Sequence, residues 1–174
     1  MTIRLVRPED AEAMAALLRA NREHLAPWDP VRPDSYFTLE GQRDVIARQV
    51  ASLRAGTEYP FVIEQDGAIV GRVTISNVVR GPLQSANLGY WIDHERQGTG
   101  LTTRAAAAAV NHARDELGLH RLEAGTLVHN TGSQRVLEKL GFVRYGLAPG
   151  FLNIAGRWQD HVLFQLLLHD RDAL

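Results

Sequence analysis

Residues 96–103 read Arg96-Gln97-Gly98-Thr99-Gly100-Leu101-Thr102-Thr103. They follow a strand-like run, Ala86 to Ile92, and open an alanine-rich helix that extends from about Leu101 to Leu117. Glycines here let backbone N–H groups turn outward around an anion, and the helix N-terminus adds partial positive charge. Thr99, Thr102 and Thr103 offer hydroxyl donors beside them. A strand, a glycine loop and a helix in that order therefore suit a pyrophosphate, although a plain tight turn has the same pattern. A P-loop needs a lysine before Ser/Thr, and the only lysine of the chain is Lys139. A dinucleotide fingerprint needs a third glycine where Thr103 stands.

Outward from the loop, the periodicity is clear. Thr2 to Val6 alternates as a strand, and Pro8-Glu9-Asp10 opens a helix with the stripe Ala11, Met14, Leu17 and Leu18. His24 to Asp34 reads as an ordered loop with three prolines and Trp28. Thr38 can cap a second helix carrying Val45, Ile46, Val50 and Leu53 on one face. Pro60–Glu64, Ala68–Val78 and Ala86–Ile92 read as strands, the first two joined by an Asp66-Gly67 turn. Beyond the long helix, Gly118 is the stop and Arg121–Val128 a strand. A short helix, Gln134–Leu140, ends at Gly141. Phe142–Leu147 and Trp158–Leu168 complete an antiparallel pair, with Ala155-Gly156 at its turn. Strand-helix-strand units inside a hairpin-connected chain imply a mixed sheet flanked by helices, an α/β (α+β) fold.

With 174 residues, residues 1–174 are expected to form a single domain. A net charge of -1 gives no global field for nucleic acid or an anionic membrane. The absence of cysteine excludes disulfides, cysteine-ligated zinc and a cysteine acyl-enzyme. No apolar run approaches a membrane span or a signal peptide, so a cytoplasmic protein is expected. The histidines show no metal-ligand spacing, and no metal is assigned.

Two further segments sharpen the functional reading. One is Asn130-Thr131-Gly132-Ser133-Gln134-Arg135-Val136-Leu137-Glu138-Lys139-Leu140-Gly141-Phe142; the other runs from Phe151 to His161. With Leu88-Gly89-Tyr90-Trp91-Ile92 and the glycine loop, they resemble the ribosomal-protein N-acetyltransferases of the GNAT superfamily, the RimJ/RimL type. The resemblance covers Ile3 to about Leu168. It implies a mostly antiparallel sheet, splayed between the strands ending near Ile92 and Val128, with acetyl-CoA as co-substrate. The pyrophosphate would lie on Gln97, Gly98, Thr99, Gly100, Leu101, Thr102 and Thr103. The pantetheine arm would bond to backbone at Trp91 and Ile92, with Asn130 beside it and Ser133 near the sulfur.

The same resemblance implies an acceptor groove bordered by Trp28, Asn87, Tyr90 and Asp160. The acceptor is expected to be an amine, most simply a protein N-terminus, and the enzyme a monomer or homodimer. Thr102 replaces a small residue of the family, Asn87 a frequent glutamate, and Gly150 a carboxylate of some relatives. The chemistry-bearing residues keep two readings each. Ser133 caps a helix or protonates the leaving thiolate. Asn130 is a turn residue or a coenzyme contact. Glu123 is a cross-strand partner for an arginine or a base. His129 is a solvated strand-end histidine or a base. Asp160 and His161 line the acceptor pocket or pair with Arg157, and Trp28 anchors its loop or meets the acceptor. Alternatives to a protein acetyltransferase are an enzyme acting on a small amine such as a polyamine or antibiotic, a non-catalytic acyl-CoA sensor, and a nucleotide-binding module.

Overall fold

The computed structural model describes residues 1–169. Its strands are β1 (Thr2–Leu5), β2 (Tyr59–Gln65), β3 (Ala68–Val79), β4 (Ser85–Ile92), β5 (Arg121–Leu127), β6 (Val143–Ile154) and β7 (Arg157–Leu167). Its helices are α1 (Ala11–Ala20), α2 (Arg22–Leu25), α3 (Leu39–Arg54), α4 (Leu101–Asp115) and α5 (Thr131–Lys139). The strands form one sheet in the order β1-β2-β3-β4-β5-β7-β6. Every neighbouring pair is antiparallel except β4 with β5. The mixed α/β architecture expected from the sequence is present. Among the described residues no helix is long and apolar enough to cross a membrane.

Pattern explains most of these elements. Thr38 caps α3 by accepting from the Gly41 amide at 3.0 Å. Asp66-Gly67 and Ala155-Gly156 all carry positive φ, as tight hairpin turns with two left-handed residues require. Two differences have local causes. Arg22–Leu25 forms one helical turn that runs into the expected loop at His24 and Leu25. β6 runs seven residues past the expected Leu147, to Ile154, because register shifts at Arg144/Gly146 and Ala148/Leu152 break its alternation.

The two faces of the sheet are packed differently. On one, Ala105, Ala106, Ala109 and Ala113 of α4 are fully buried against the central strands and join a core with Ile75, Leu122 and Leu137. Small side chains let α4 lie close, which fixes its N-terminus at the end of β4. On the other face, α1 and α3 bury Met14 and Ile46 against Val62, with Trp91 at the margin. Fully buried Asn21 ties this layer to the far end of β4. Its Nδ2 donates to Leu17 O and Asp93 Oδ1, and its Oδ1 accepts from the His94 amide.

Candidate active site

The parallel ladder is short. Ser85 pairs with Arg121, Ala86 with Leu122 and Asn87 with Glu123, and there the pairing ends. Beyond it the strands part, as the expected splay requires, and a cleft of about 190 Å³ opens between Leu88–Trp91 and Ala124–Leu127. Asn130, Ser133 and His161 line it too, as do Leu18, Trp28, Asp29 and Tyr36.

Strand alternation tells which backbone groups face the gap. The Asp93 amide donates to Val70 O on β3, so the amides of Trp91 and Gly89 also turn toward β3. Those of Tyr90 and Ile92 turn toward β5, where no ladder receives them. The Arg121 amide donates toward Gln84, ahead of β4, so Gly125 and Leu127 also point their amides into the gap. The Trp91 amide is thus committed to β3, while the residue lines the cleft. Ile92 keeps a free amide while its side chain is buried in the core. Open backbone on both edges fits a co-substrate arm rich in amides.

At the mouth, Gly98 and Gly100 have φ of 73° and 74°. A Cβ on Gly98 would meet nothing within 4 Å, so the glycine there answers to conformation and to open space, not to packing. Gly100 is the N-cap of α4 without a side-chain cap, and no acidic residue lies in the first turn. The helix therefore presents bare amides and undiluted positive potential, the elements of an anion site. Three loop expectations change in detail. Thr99 Oγ1 donates to Arg96 O at 2.8 Å, so its hydroxyl proton braces the loop. Gln97 Nε2 donates to His24 Nε2 at 2.8 Å, tying the loop to α2. Leu101 is buried and can offer only its amide. Thr102 and Thr103 are half-buried on the first turn. Arg104, not singled out by sequence, brings Nη1 to 3.4 Å from Thr99 O. The signal for it was its place four residues after Gly100, one helical turn back onto the loop.

Asn130 takes the capping role that the sequence offered to Ser133. Asn130 is the N-cap of α5, and its Oδ1 accepts from the Ser133 amide at 3.0 Å. Ser133 is therefore not the cap. Its Oγ is 3.0 Å from the Tyr90 hydroxyl, which also lies 3.1 Å from Ser133 O. Burial pushes the Tyr90 phenol up to about 12, more than the bond to Ser133 lowers it.

The other candidates spread out. Glu123 accepts from Arg121 at 2.7 Å and from the Tyr145 hydroxyl at 2.8 Å, and does not line the cleft. His129 stacks on Trp28 with ring centroids 5.4 Å apart, outside the cleft lining. Asn87 lies exposed at the last parallel pair. Asp160 Oδ1 accepts from the Gly150 amide at 2.8 Å, so it fastens the bulged part of β6 rather than pairing with Arg157 or entering the cleft. Trp28 and Tyr90 do line it, as does His161. Sequence reading passed over Asp29, the only carboxylate among the lining residues. It sits in the proline-rich loop, where no periodicity marks it, and the Ala155 amide donates to its carbonyl oxygen at 3.0 Å.

A mixed sheet parted between its parallel strands, over a bare-amide glycine loop, is the arrangement that the resemblance to the acetyl-CoA-dependent GNAT enzymes implied. The chain matches the model of the acetyltransferase (GNAT) domain over residues 1–143 and belongs to that family. Over 97% of its length it is 38% identical to a probable N-acetyltransferase of Bacillus subtilis, covering 94% of that protein. It is 34% identical to the ribosomal protein uS5-alanine N-acetyltransferase of Escherichia coli, over 98% of this chain and 89% of that one. Among solved structures it superposes on Mycobacterium smegmatis RimJ in complex with CoA-disulfide with a TM-score of 0.92. That match has 37% identity and covers 95% of this chain and 80% of the other. The protein is an acetyl-CoA-dependent N-acetyltransferase, close to the ribosomal-protein acetyltransferases.

Proposed function

We propose that the acceptor is the α-amine of a protein N-terminus, acetylated by direct attack on the thioester. The observation that carries this is the shape of the acceptor side. The cleft shares Leu18, Leu25, Asp29 and Tyr36 with a second, more apolar chamber of about 280 Å³. Val31, Phe37 and Ala155 line its far end. A compact amine needs only the first space. A peptide amine brings side chains that the second can take, and two relatives of similar length act, by name, on ribosomal proteins.

Acetyl-CoA supplies the activated acetyl group. On this reading the loop amides from Gly98 to Thr103 hold its pyrophosphate, with the Arg104 guanidinium beside them. Free amides on the parted strands, Tyr90 and Ile92 on one edge and Gly125 on the other, pair with the arm. An amide on the β4 edge receives the oxyanion as carbonyl charge develops. Ser133 protonates the departing thiolate. Holding both reactants in one cleft supplies much of the rate. Glu123 and His129 remain candidates for the base on sequence grounds, and their positions outside the cleft lining give them no direct route to the amine.

The test uses bacterial cell extract, isotope-labelled acetyl-CoA and the purified enzyme, with products resolved by mass spectrometry. Label on protein N-termini is expected. Label confined to polyamines or other small amines would overturn the reading.

A further inference from the structure

We infer that His161 is the proton acceptor for the attacking amine. The inference rests on the acetyltransferase reading of the cleft and adds a group that reading does not use. His161 is 3% exposed, yet it lines the cleft. It stands on β7 opposite Leu127 of β5, the last pair of that ladder. Its Nδ1 is 3.0 Å from Gln159 O. A carbonyl only accepts, so Nδ1 carries the hydrogen and Nε2 presents a lone pair. Phe151 packs edge-on at 5.5 Å and holds the ring. The Cδ2 edge, next to Nε2, lies 3.7 Å from where a Gly125 Cβ would stand. A Cβ there would make only ordinary van der Waals contact with that edge, so the ring lies against the β5 backbone at Gly125. No hydrogen bond among the described residues engages Nε2, and it is not among the sealed, unsatisfied atoms of the interior.

A buried histidine whose outer nitrogen is satisfied by the fold would be packing. Here the inner nitrogen is satisfied and the outer one is left to the cleft. Imidazole is also the side chain best matched to proton transfer near neutral pH. The step balances. The neutral amine attacks the thioester carbon, forming the C–N bond, and its surplus proton passes to Nε2. The imidazolium keeps Nδ1–H on Gln159 O. The C–S bond breaks with its electron pair on sulfur, and Ser133 gives that sulfur a proton. The proton on Nε2 returns through water to Ser133, so an amide and a free thiol are the net products.

Two variants and one rescue test this: His161→Asn, His161→Ala, and His161→Ala with imidazole added. Each is assayed on whichever amine the wild type turns over, so failure of the N-terminus reading shows in the wild type alone. Acetyl-CoA affinity by calorimetry and melting temperature report folding. The expected result is kcat lower by about a hundred- to ten-thousand-fold, the usual reach of a general base. Acetyl-CoA affinity should stay within about threefold, and imidazole should restore His161→Ala at least tenfold. Either folded variant with kcat within threefold of wild type overturns the inference, as does an impaired His161→Ala that imidazole leaves unchanged.

Discussion

The Tyr90 hydroxyl bridges β4 to α5 by standing 3.0 Å from Ser133 Oγ and 3.1 Å from Ser133 O. A phenol pushed up to about 12 by burial stays protonated at every working pH, so Tyr90 acts as a donor, not a base. When it donates to the carbonyl, the Ser133 hydroxyl is free to turn into the cleft. Ser133→Ala should then lower kcat by about ten- to a thousand-fold, within or below the usual range for acid catalysis. The helix cap stays with Asn130, so the melting temperature should move little. Kinetics and a melt on the same variant decide, and an unchanged kcat removes Ser133 from the chemistry.

Asn130→Ala is the complementary variant. Its Oδ1 is spent on the Ser133 amide, so stability should fall by about 1 kcal/mol. In a protein of this size that is a drop in melting temperature of roughly 2–4 °C. Nδ2 remains free to meet the co-substrate, so a raised KM for acetyl-CoA is expected too. A variant with wild-type melting temperature would refute the capping role.

Most of the fold was legible because its signals are local. Thr38, Gly118 and Gly141 mark helix ends by backbone chemistry that any sequence shows, and Asp66-Gly67 marks its own turn. The splay was not local. Nothing in Leu88–Ile92 or Ala124–Leu127 states that their ladder stops at Asn87 and Glu123; family resemblance supplied it. The shift of the cap from Ser133 to Asn130 has a similar source. Both residues make good caps, and only the turn after β5 selects which one stands at the helix start. Asp29 acquires meaning through contacts between segments distant in sequence, which pattern reading does not reach; of the two readings kept for His161, the structure bears out the place in the cleft lining.

Gly100 tests the anion site. Its φ of 74° is open to glycine and strained for a β-branched residue, and its amide lies where an anion would approach. Gly100→Val should abolish acetyl-CoA binding measured by calorimetry while circular dichroism still reports a folded sheet. Wild-type affinity in the folded variant would move the pyrophosphate elsewhere.

Acid stability should report Asp10. Arg4 donates to both its oxygens, at 2.7 and 2.8 Å, and to Glu64 at 2.8 Å. Burial raises the Asp10 carboxyl, but the bonds from Arg4 and the Arg7 amide outweigh it and leave it below the ordinary carboxylate value. A depressed carboxyl contributes stability above its unfolded pKa of about 3.9, and loses it as pH falls through the lower folded value. Asp10→Asn should therefore cost roughly 1.5–3 kcal/mol near pH 7 by denaturant titration. The gap to wild type should begin to narrow below about pH 4 and shrink further as pH falls through the lower folded value. A gap that persists unchanged at pH 2 would contradict the assignment.

The last expectation concerns which amine is chosen. An α-amine has a pKa of about 7.7–8.0, so roughly a tenth is already neutral at pH 7. A lysine amine near 10.4 is neutral only about four times in ten thousand. Choosing the α-amine saves roughly 3.5 kcal/mol of deprotonation, at about 1.36 kcal/mol per pKa unit. The cleft has one carboxylate, Asp29, and one imidazole, His161, among its lining residues. A lysine amine must first lose its proton, whereas an α-amine already supplies its own neutral fraction. Trp28, against which His129 packs, lines the cleft, and the Ala155 turn is hydrogen-bonded to Asp29. Two peptides should compete: one with a free N-terminus and no lysine, the other N-blocked with an internal lysine. The free N-terminus should be turned over faster by at least tenfold in kcat/KM. Faster turnover of the blocked lysine peptide would overturn the assignment. Turnover of neither, beside rapid turnover of a polyamine, would place the enzyme with those that modify small molecules.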